Sequence, residues 1–411
     1  MLQIIERHRK PIYALAFNQL DSSLSTHFAT VGANCATVYR IKPLEPAERK
    51  PRCDASKSKG NGWKRRKGKR GRTPTLASLE DVALEVVQAY ADEDGEEQFY
   101  CCGWGMLEAD GSALLAVAGE QRQIKAINCH TGRVHSVMQA HGAAVHDVCF
   151  HPVQPALLLS GSVDCSIRLW HVLTRDCIAV FAGALGHRDA VVSIDVRMDG
   201  AVFASSGTDG CIKIWDLESA PLQERIKAAT PAANQIPKPS EQPRYERSLP
   251  PPLFVHFPLL TEDTLHRNGD FTFYVDRVCW VGNLMLSRSS EGRAVLWSPD
   301  TAPVTPKKPG EEFLQPGTVL GDFHLRSADI WFLRFNMDPH RMLFALGNKR
   351  GETAVWNVDK RPIKQVASFC QANGSTVRHT AISHDLRFLV TCHDDASVVL
   401  WELPRSKAQT N

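Results

Sequence analysis

The chain has 411 residues, 43% of them hydrophobic, ample for a large buried core. Its formal net charge of +3 singles out no partner, and no apolar run approaches the roughly 18 residues of a membrane span, so the chain is expected to be soluble and intracellular. Twelve cysteines, most of them isolated in apolar segments as at Cys149, Cys211, Cys279 and Cys392, lack CxxC zinc spacing; they are expected to be buried and reduced, and no cofactor or metal is implied.

In chain order, Met1 to Arg7 reads as a lone strand, and FATVGANCATVY ends at Tyr39. A basic stretch follows at about 43–75. Then come LLAVAGEQRQIKAI, ending at Ile127, LLLSGSVDCSIRLW at Trp170 and FASSGTDGCIKIW at Trp215. A Pro-rich stretch at about 218–250 precedes LMLSRSSEGRAVLW, ending at Trp297. A Pro/Lys-rich one at about 301–317 precedes FALGNKRGETAVW, ending at Trp356, and FLVTCHDDASVVLW closes at Trp401. In four copies a hydroxyl stands ten residues before the Trp (Ser160, Ser205, Ser287, Thr391) and an acid six before it (Asp164, Asp209, Glu291, Asp395). The alternating apolar run into each Trp is a strand pattern, and the cluster around the acid is a tight turn.

Three of the six spacings between these anchors are 43 to 45 residues; the others, 88, 82 and 59, are lengthened by the three polar stretches. A self-similar unit of this period is the signature of a WD repeat. Seven units predict an all-β, seven-bladed WD40 β-propeller, a single domain over residues 1–411. The N-terminal strand is expected to pair into the blade ending at Trp401, which closes the ring and removes its open edges.

His187, Ser205 and Asp209 have the composition of a catalytic triad, and so do His141, Ser160 and Asp164. A triad occurs once; a set repeated per blade, each with its Trp, predicts a buried hydrogen-bond chain from the indole N–H through the hydroxyl to His and Asp. No GxSxG elbow, phosphate loop or HExxH accompanies them, and lone histidines such as His379 and His393 are expected to be solvated or satisfied in the core. The chain is therefore expected not to be an enzyme.

Function in a propeller lies in its loops and at the mouth of its channel. Counting four residues back from each inner-strand apolar anchor gives Tyr13, Tyr100, His146, Asp276, Trp331 and Arg378, with Phe332 next to Trp331. Ring symmetry places these on one rim. Three aromatic rings at equivalent positions suit a methylated ammonium, which is weakly hydrated and attracted to ring faces.

Taken in order, HFATVGANCATVY, DEDGEEQFYCCGW, LLAVAGEQRQIKAIN, VHDVCFHPVQPALLLS, GHRDAVVSIDV, VHFP, HRN with YVDRVCW, ADIWFLRFNMD, FALGN and CHDDASVVLW resemble the EED/extra sex combs family. This is the WD-repeat subunit of Polycomb repressive complex 2, and the likeness runs from about Pro11 to Trp401. It implies a non-catalytic nuclear scaffold that represses transcription. The implied partners are a SET-domain histone methyltransferase of the enhancer of zeste type and a zinc-finger subunit of the suppressor of zeste type. It also implies that one face reads trimethyl-lysine on the histone H3 tail through an aromatic cage and stimulates the methyltransferase. The cage positions match Tyr13, Tyr100 and Phe332, with Trp331 beside them; Arg334, Asp276, Arg378 and His146 are expected on the peptide-binding rim. The chain departs from the family in carrying Tyr13 where Phe is usual and Phe332 where Tyr is usual, and in an extra GDFTF after HRN. It has no match to the long charged N-terminal tail of animal members.

Between Lys50 and Arg72 stand eleven Lys or Arg and one acid. Such a run reads as a solvated loop or nuclear-import signal; the sharper alternative is contact of Lys64, Arg65, Arg66, Lys67, Lys69 and Arg70 with nucleosomal DNA or RNA. The acidic run Asp92, Glu93, Asp94, Glu96, Glu97 is expected to draw a basic tail toward Tyr100. Two other readings of a WD propeller are a ubiquitin-ligase substrate receptor and a chromatin or ribosome-assembly scaffold without methyl-lysine reading. The first usually needs an Arg two residues after a Trp-Asp pair; Leu217 and Glu218 follow Trp215 and Asp216 here.

Overall fold

A computed structural model describes residues 1–20, 24–44, 79–107, 111–230, 253–255, 260–262, 267–268, 271–272, 274–299, 318–338, 340, 342–359 and 362–404. The described strands form seven sheets arranged as the blades of a propeller, beside a separate two-stranded ladder of Arg267–Asn268 with Phe271–Thr272. The inner strands of blades one to five are Ile12–Phe17, Phe99–Met106, Val145–Phe150, Val191–Val196 and Val275–Val281; that of blade seven is Val377–Ile382. Most of their residues are buried because both of their faces meet neighbouring blades, and they are accordingly rich in β-branched and aromatic residues.

Several features depart from seven uniform four-stranded blades, among them a fifth strand, Leu253–Val255, that runs parallel to Asp176–Phe181 at the edge of blade three. Blade six has Leu343–Gly347, Glu352–Asn357 and Lys364–Cys370, but its inner strand shrinks to Arg334–Phe335, which pairs in parallel with His379 and Thr380 of blade seven. The Pro-rich stretch also begins with a helix, Ala220–Ala229. Its proline falls in the first turn, where no amide hydrogen is needed, and it buries Leu222, Ile226 and Ala229 against blades three and four. Of the expected insertions, residues 45–78, 231–250 and 301–317 lie outside the described residues.

The strand Leu2–Ile5 runs antiparallel to Ser397–Glu402, so the first residues of the chain supply the outer strand of blade seven. Glu6 then fastens this seam. Its backbone N–H donates to the Ala396 carbonyl, while its carboxylate accepts from Tyr39 Oη at 2.9 Å and Thr30 Oγ1 at 2.5 Å in blade one and meets His8 Nε2 at 2.7 Å. Tyr39 stands at the Trp position of its blade, and its phenol finds here the acceptor that blades three, four, five and seven supply from within.

In blades three and four the indoles donate to the hydroxyls, Trp170 to Ser160 at 2.8 Å and Trp215 to Ser205 at 2.9 Å. His141 and His187 continue each chain to Asp164 and Asp209. Burial alone would push the Asp164 carboxyl up, but His141, Ser166 and the Gly142 N–H outweigh it and hold it well below the usual range. Trp297 donates to Ser287 and Trp401 to Thr391. In blade seven His393 meets Thr391 and the Ser375 carbonyl, whereas Asp395 turns instead to Ser397. The eleven described cysteines are all free; Cys101, Cys279 and Cys392 are buried, Cys149 and Cys211 only half-buried, and Cys370 is exposed, so burial is less general than expected.

Each described inner strand except that of blade six carries an extra residue near its start, where its register with the second strand slips. The bulged residues are Tyr13, Tyr100, His146, Val192, Asp276 and Arg378. The turn into the bulge is tight. At Gly119 a Cβ would stand 1.7 Å from the Gln98 carbonyl oxygen, so only glycine lets the second strand close on Tyr100.

Glu6→Ala is expected to destabilise the fold by about 2–4 kcal/mol, because it strands the buried Tyr39 and Thr30 hydroxyls. Chemical denaturation measures it; a loss below about 0.5 kcal/mol would contradict the role of Glu6 at the seam.

Candidate functional site

A pocket of about 710 Å³ opens where the inner strands begin, lined by Tyr13, Tyr100, His146, Trp331, Phe332 and Arg378, with Glu120, Arg122 and the stretch Gly142 to Ala144 along one side. Tyr13, Tyr100 and Phe332 form a triangle of edge-to-face rings, with centroids 5.4 Å, 5.7 Å and 6.2 Å apart. His146 lies 5.6 Å from Tyr100 and 5.7 Å from Phe332, and Trp331 caps Phe332 at 5.5 Å. Phe332 is 4% exposed and Trp331 49%, so one ring forms the floor and the other the lip.

The bulge explains why residues from separate blades meet here. An extra residue in a strand re-aims its side chain out of the pleat, and four of the six bulged residues line this pocket. All six make contact with one segment, Trp331 to Arg334. Tyr13, Tyr100 and His146 touch the Phe332 ring. Asp276 lies beneath Phe332 and Leu333, close enough that their backbone N–H groups favour its charged form against burial. Arg378 donates to the Trp331 carbonyl at 3.2 Å while Asp394 holds its guanidinium at 2.6 Å. Arg334 donates to the carbonyls of both His146 and Val192. Gathering this segment at the centre draws it out of its own sheet, which is why blade six keeps only a remnant of an inner strand. Phe332 itself has φ +60°, a left-handed conformation that costs a bulky residue and persists only where surrounding bonds impose it.

Two residues expected on the rim lie beneath it. Asp276 is fully buried and ion-paired with Arg288, which is also fully buried and donates further to the Ala328 and Ile330 carbonyls. Arg334 is 2% exposed, bonds Asp147 at 2.9 Å and stacks its guanidinium 4.4 Å from the Phe332 ring centroid. A buried charge needs its partners close, and these two find them below the pocket floor. They position the rings and do not face the pocket.

Burial pushes His146 down to about 4, Arg334 adds to the shift and Asp147 opposes it, so this wall of the pocket is neutral at physiological pH. Glu120 was not singled out from the sequence: its carboxylate accepts from Tyr100 Oη at 3.0 Å. In the acidic run, Asp92 and Glu97 are buried, bonded to Lys125 and to the Gln98 and Gln121 N–H groups, which leaves Glu93, Asp94 and Glu96 exposed. The expected nucleic-acid contacts Lys64, Arg65, Arg66, Lys67, Lys69 and Arg70 lie outside the described residues.

The family model "WD domain, G-beta repeat" matches residues 131–171, 175–216 and 363–402. Over 397 residues the chain is 32% identical to Polycomb group protein FIE2 of Zea mays, a match spanning 96% of this chain and 88% of that one. It is 33% identical to Polycomb protein esc of Drosophila virilis, spanning 96% and 82%. A chain from the crystal structure of the Chaetomium thermophilum Polycomb repressive complex 2 matches with a TM-score of 0.71 at 16% identity, over 98% of each chain. A chain from that complex bound to trimethyl-lysine histone H3 matches equally well, with TM-score 0.71 at 16% identity over 98% and 97%.

Two outcomes follow from the buried charges under the rings. Asp276→Ala should cost about 3–5 kcal/mol because it leaves Arg288 unpaired in the interior, and Asp276→Leu with Arg288→Met should recover most of that loss; a single-variant loss under about 1 kcal/mol in denaturant titration contradicts the ion pair's role. His146 and His379 both stay neutral in the fold, held down first by burial. A depressed folded value means that their stability contribution is intact above the unfolded value of about 6.5 and is lost as pH falls. Each should cost on the order of 1 kcal/mol per pH unit below that value, and replacing His379 by Gln should flatten the fall in melting temperature over that window.

Proposed function

The chain belongs to the esc/FIE family of Polycomb group proteins, the non-catalytic WD-repeat subunits of Polycomb repressive complex 2, and on that premise we propose that it reads trimethyl-lysine on the histone H3 tail through Tyr13, Tyr100, Phe332 and Trp331. In this reading it acts in the nucleus as a scaffold, passing the presence of the mark to a SET-domain methyltransferase of the enhancer of zeste type beside a zinc-finger subunit of the suppressor of zeste type. What supports the partners is the family itself, together with the Polycomb repressive complex 2 to which the chains of like shape belong. The observation that carries the ligand is the ring triangle at the pocket floor, walled by a neutral histidine.

A trimethylammonium suits such a wall. It has no N–H to satisfy, is weakly hydrated, and gains about 0.5–2 kcal/mol from each ring face. An unmethylated lysine loses its three hydrogen bonds to water and finds no equivalent acceptors among ring faces. The rings lie edge to face against each other, so a cation seated among them must turn them apart, and part of its binding energy goes into that opening. Trp331, half exposed at the lip, can fold over the methyl groups without unpacking the core. Arg378 cannot repel the cation strongly because Asp394 balances its charge.

Tyr100→Ala is expected to weaken a trimethylated histone H3 peptide about 3- to 30-fold and to leave the unmethylated peptide nearly unchanged. Calorimetric titration of both peptides against both proteins checks it. Equal binding of the two peptides by the unaltered protein sinks the methyl-lysine reading.

A further inference from the structure

Among the described residues lining the pocket, Glu120 is the one carboxylate. It sits at the end of the second strand of blade two, immediately after Gly119, the glycine that lets this strand close on the Tyr100 bulge. Among the described residues it makes no ion pair: Arg122 next to it donates to the Gly142 carbonyl, and Arg378 across the pocket is taken by Asp394. Its bond is from the Tyr100 phenol, which burial and the Glu120 carboxylate together hold firmly protonated, so the phenol is the donor.

We propose that Glu120 is a specificity-determining residue of this pocket, one that makes it select for positive charge as well as for the shape of a trimethylated head group. Resting on the methyl-lysine reading, the inference assigns two effects to one side chain. The carboxylate lies at the edge of a cage ring and makes no ion pair among the described residues, so a quaternary ammonium entering the pocket meets a negative charge beside the ring. By accepting the phenol hydrogen, it also fixes the Tyr100 ring and makes its face more electron-rich, which strengthens attraction for a cation and does nothing for a neutral group of the same size. The aromatic rings alone provide shape and a modest charge preference; Glu120 adds the long-range term, which is sensitive to salt.

The test uses two histone H3 peptides that differ in one atom, trimethyl-lysine and its uncharged isostere with a tert-butyl carbon in place of the ammonium nitrogen, against the unaltered protein and Glu120→Gln. Glutamine keeps an oxygen that can accept from Tyr100 but carries no charge, and the exposed position makes unfolding an unlikely confounder, which an unchanged melting temperature verifies. Expected is a two- to fivefold loss, roughly, for the trimethyl-lysine peptide, no change for the isostere, and a shallower salt dependence in the variant. Equal losses for both peptides, or no loss for either, overturn the charge-selecting role while the unaltered protein still prefers methylated over unmethylated peptide. If that preference is itself missing, the methyl-lysine reading fails and this inference with it.

Discussion

Six bulged residues from six blades converge on the segment Trp331 to Arg334, and the rest of the site depends on that convergence. A strand alternates its side chains between two faces, both buried between neighbouring blades in a propeller. Without an extra residue at the inner-strand start, no side chain there could turn toward the centre of the rim. The bulge supplies it six times, and blade six, the remaining one, gives up its own inner strand so that its chain can occupy the middle. The outcome is a floor ring, Phe332, held in an unfavourable left-handed backbone by Asp276 beneath and by Arg334 two residues on.

The charges that perform this holding are themselves costly to bury, and the interior answers with a network. Arg334 and Arg277 share Asp147, Arg277 reaches the Phe335 carbonyl and Asn336, and Asn336 donates to the Leu15 carbonyl of blade one. The chain thereby crosses the ring from blade three to blade one through blades five and six. Buried ion pairs of this kind add little net stability compared with apolar packing, but breaking one leaves a charge stranded. The network therefore favours one arrangement of the blades over alternatives, which is what a site assembled from six of them requires.

The sequence made the repeat legible because each blade rewrites the same local chemistry: a hydroxyl, a turn acid and an indole at fixed offsets. Seven anchors and their spacing led to seven blades, and the four-residue offset led to Tyr13, Tyr100, His146 and Trp331, with Phe332 as neighbour. For Tyr13, Tyr100 and His146 that offset counts back to the bulge, although alternation alone hides a bulge from view; at Trp331 of blade six there is no such bulge among the described residues. The same count brought in Asp276, whose burial depends on Arg288, twelve residues on in a different strand. Arg334 came from the family resemblance, and its depth was invisible for the same reason: its acceptors belong to other blades. Glu6 escaped because it acts across the seam on Tyr39 of blade one, and Glu120 because it reaches Tyr100 from the neighbouring strand of its own blade; no periodicity points to either. The helix Ala220–Ala229 was masked by the prolines around it, though its own proline sits where a helix tolerates one.

The central claim is geometric, and the structure of the protein with a trimethyl-lysine histone H3 peptide tests it most directly. The account predicts the ammonium within about 6 Å of the Tyr13, Tyr100 and Phe332 ring centroids, those rings parted beyond their present spacing of 5.4 Å to 6.2 Å, and Phe332 still left-handed over Asp276. A peptide seated elsewhere on the propeller, with the three rings still closed edge to face, would contradict it.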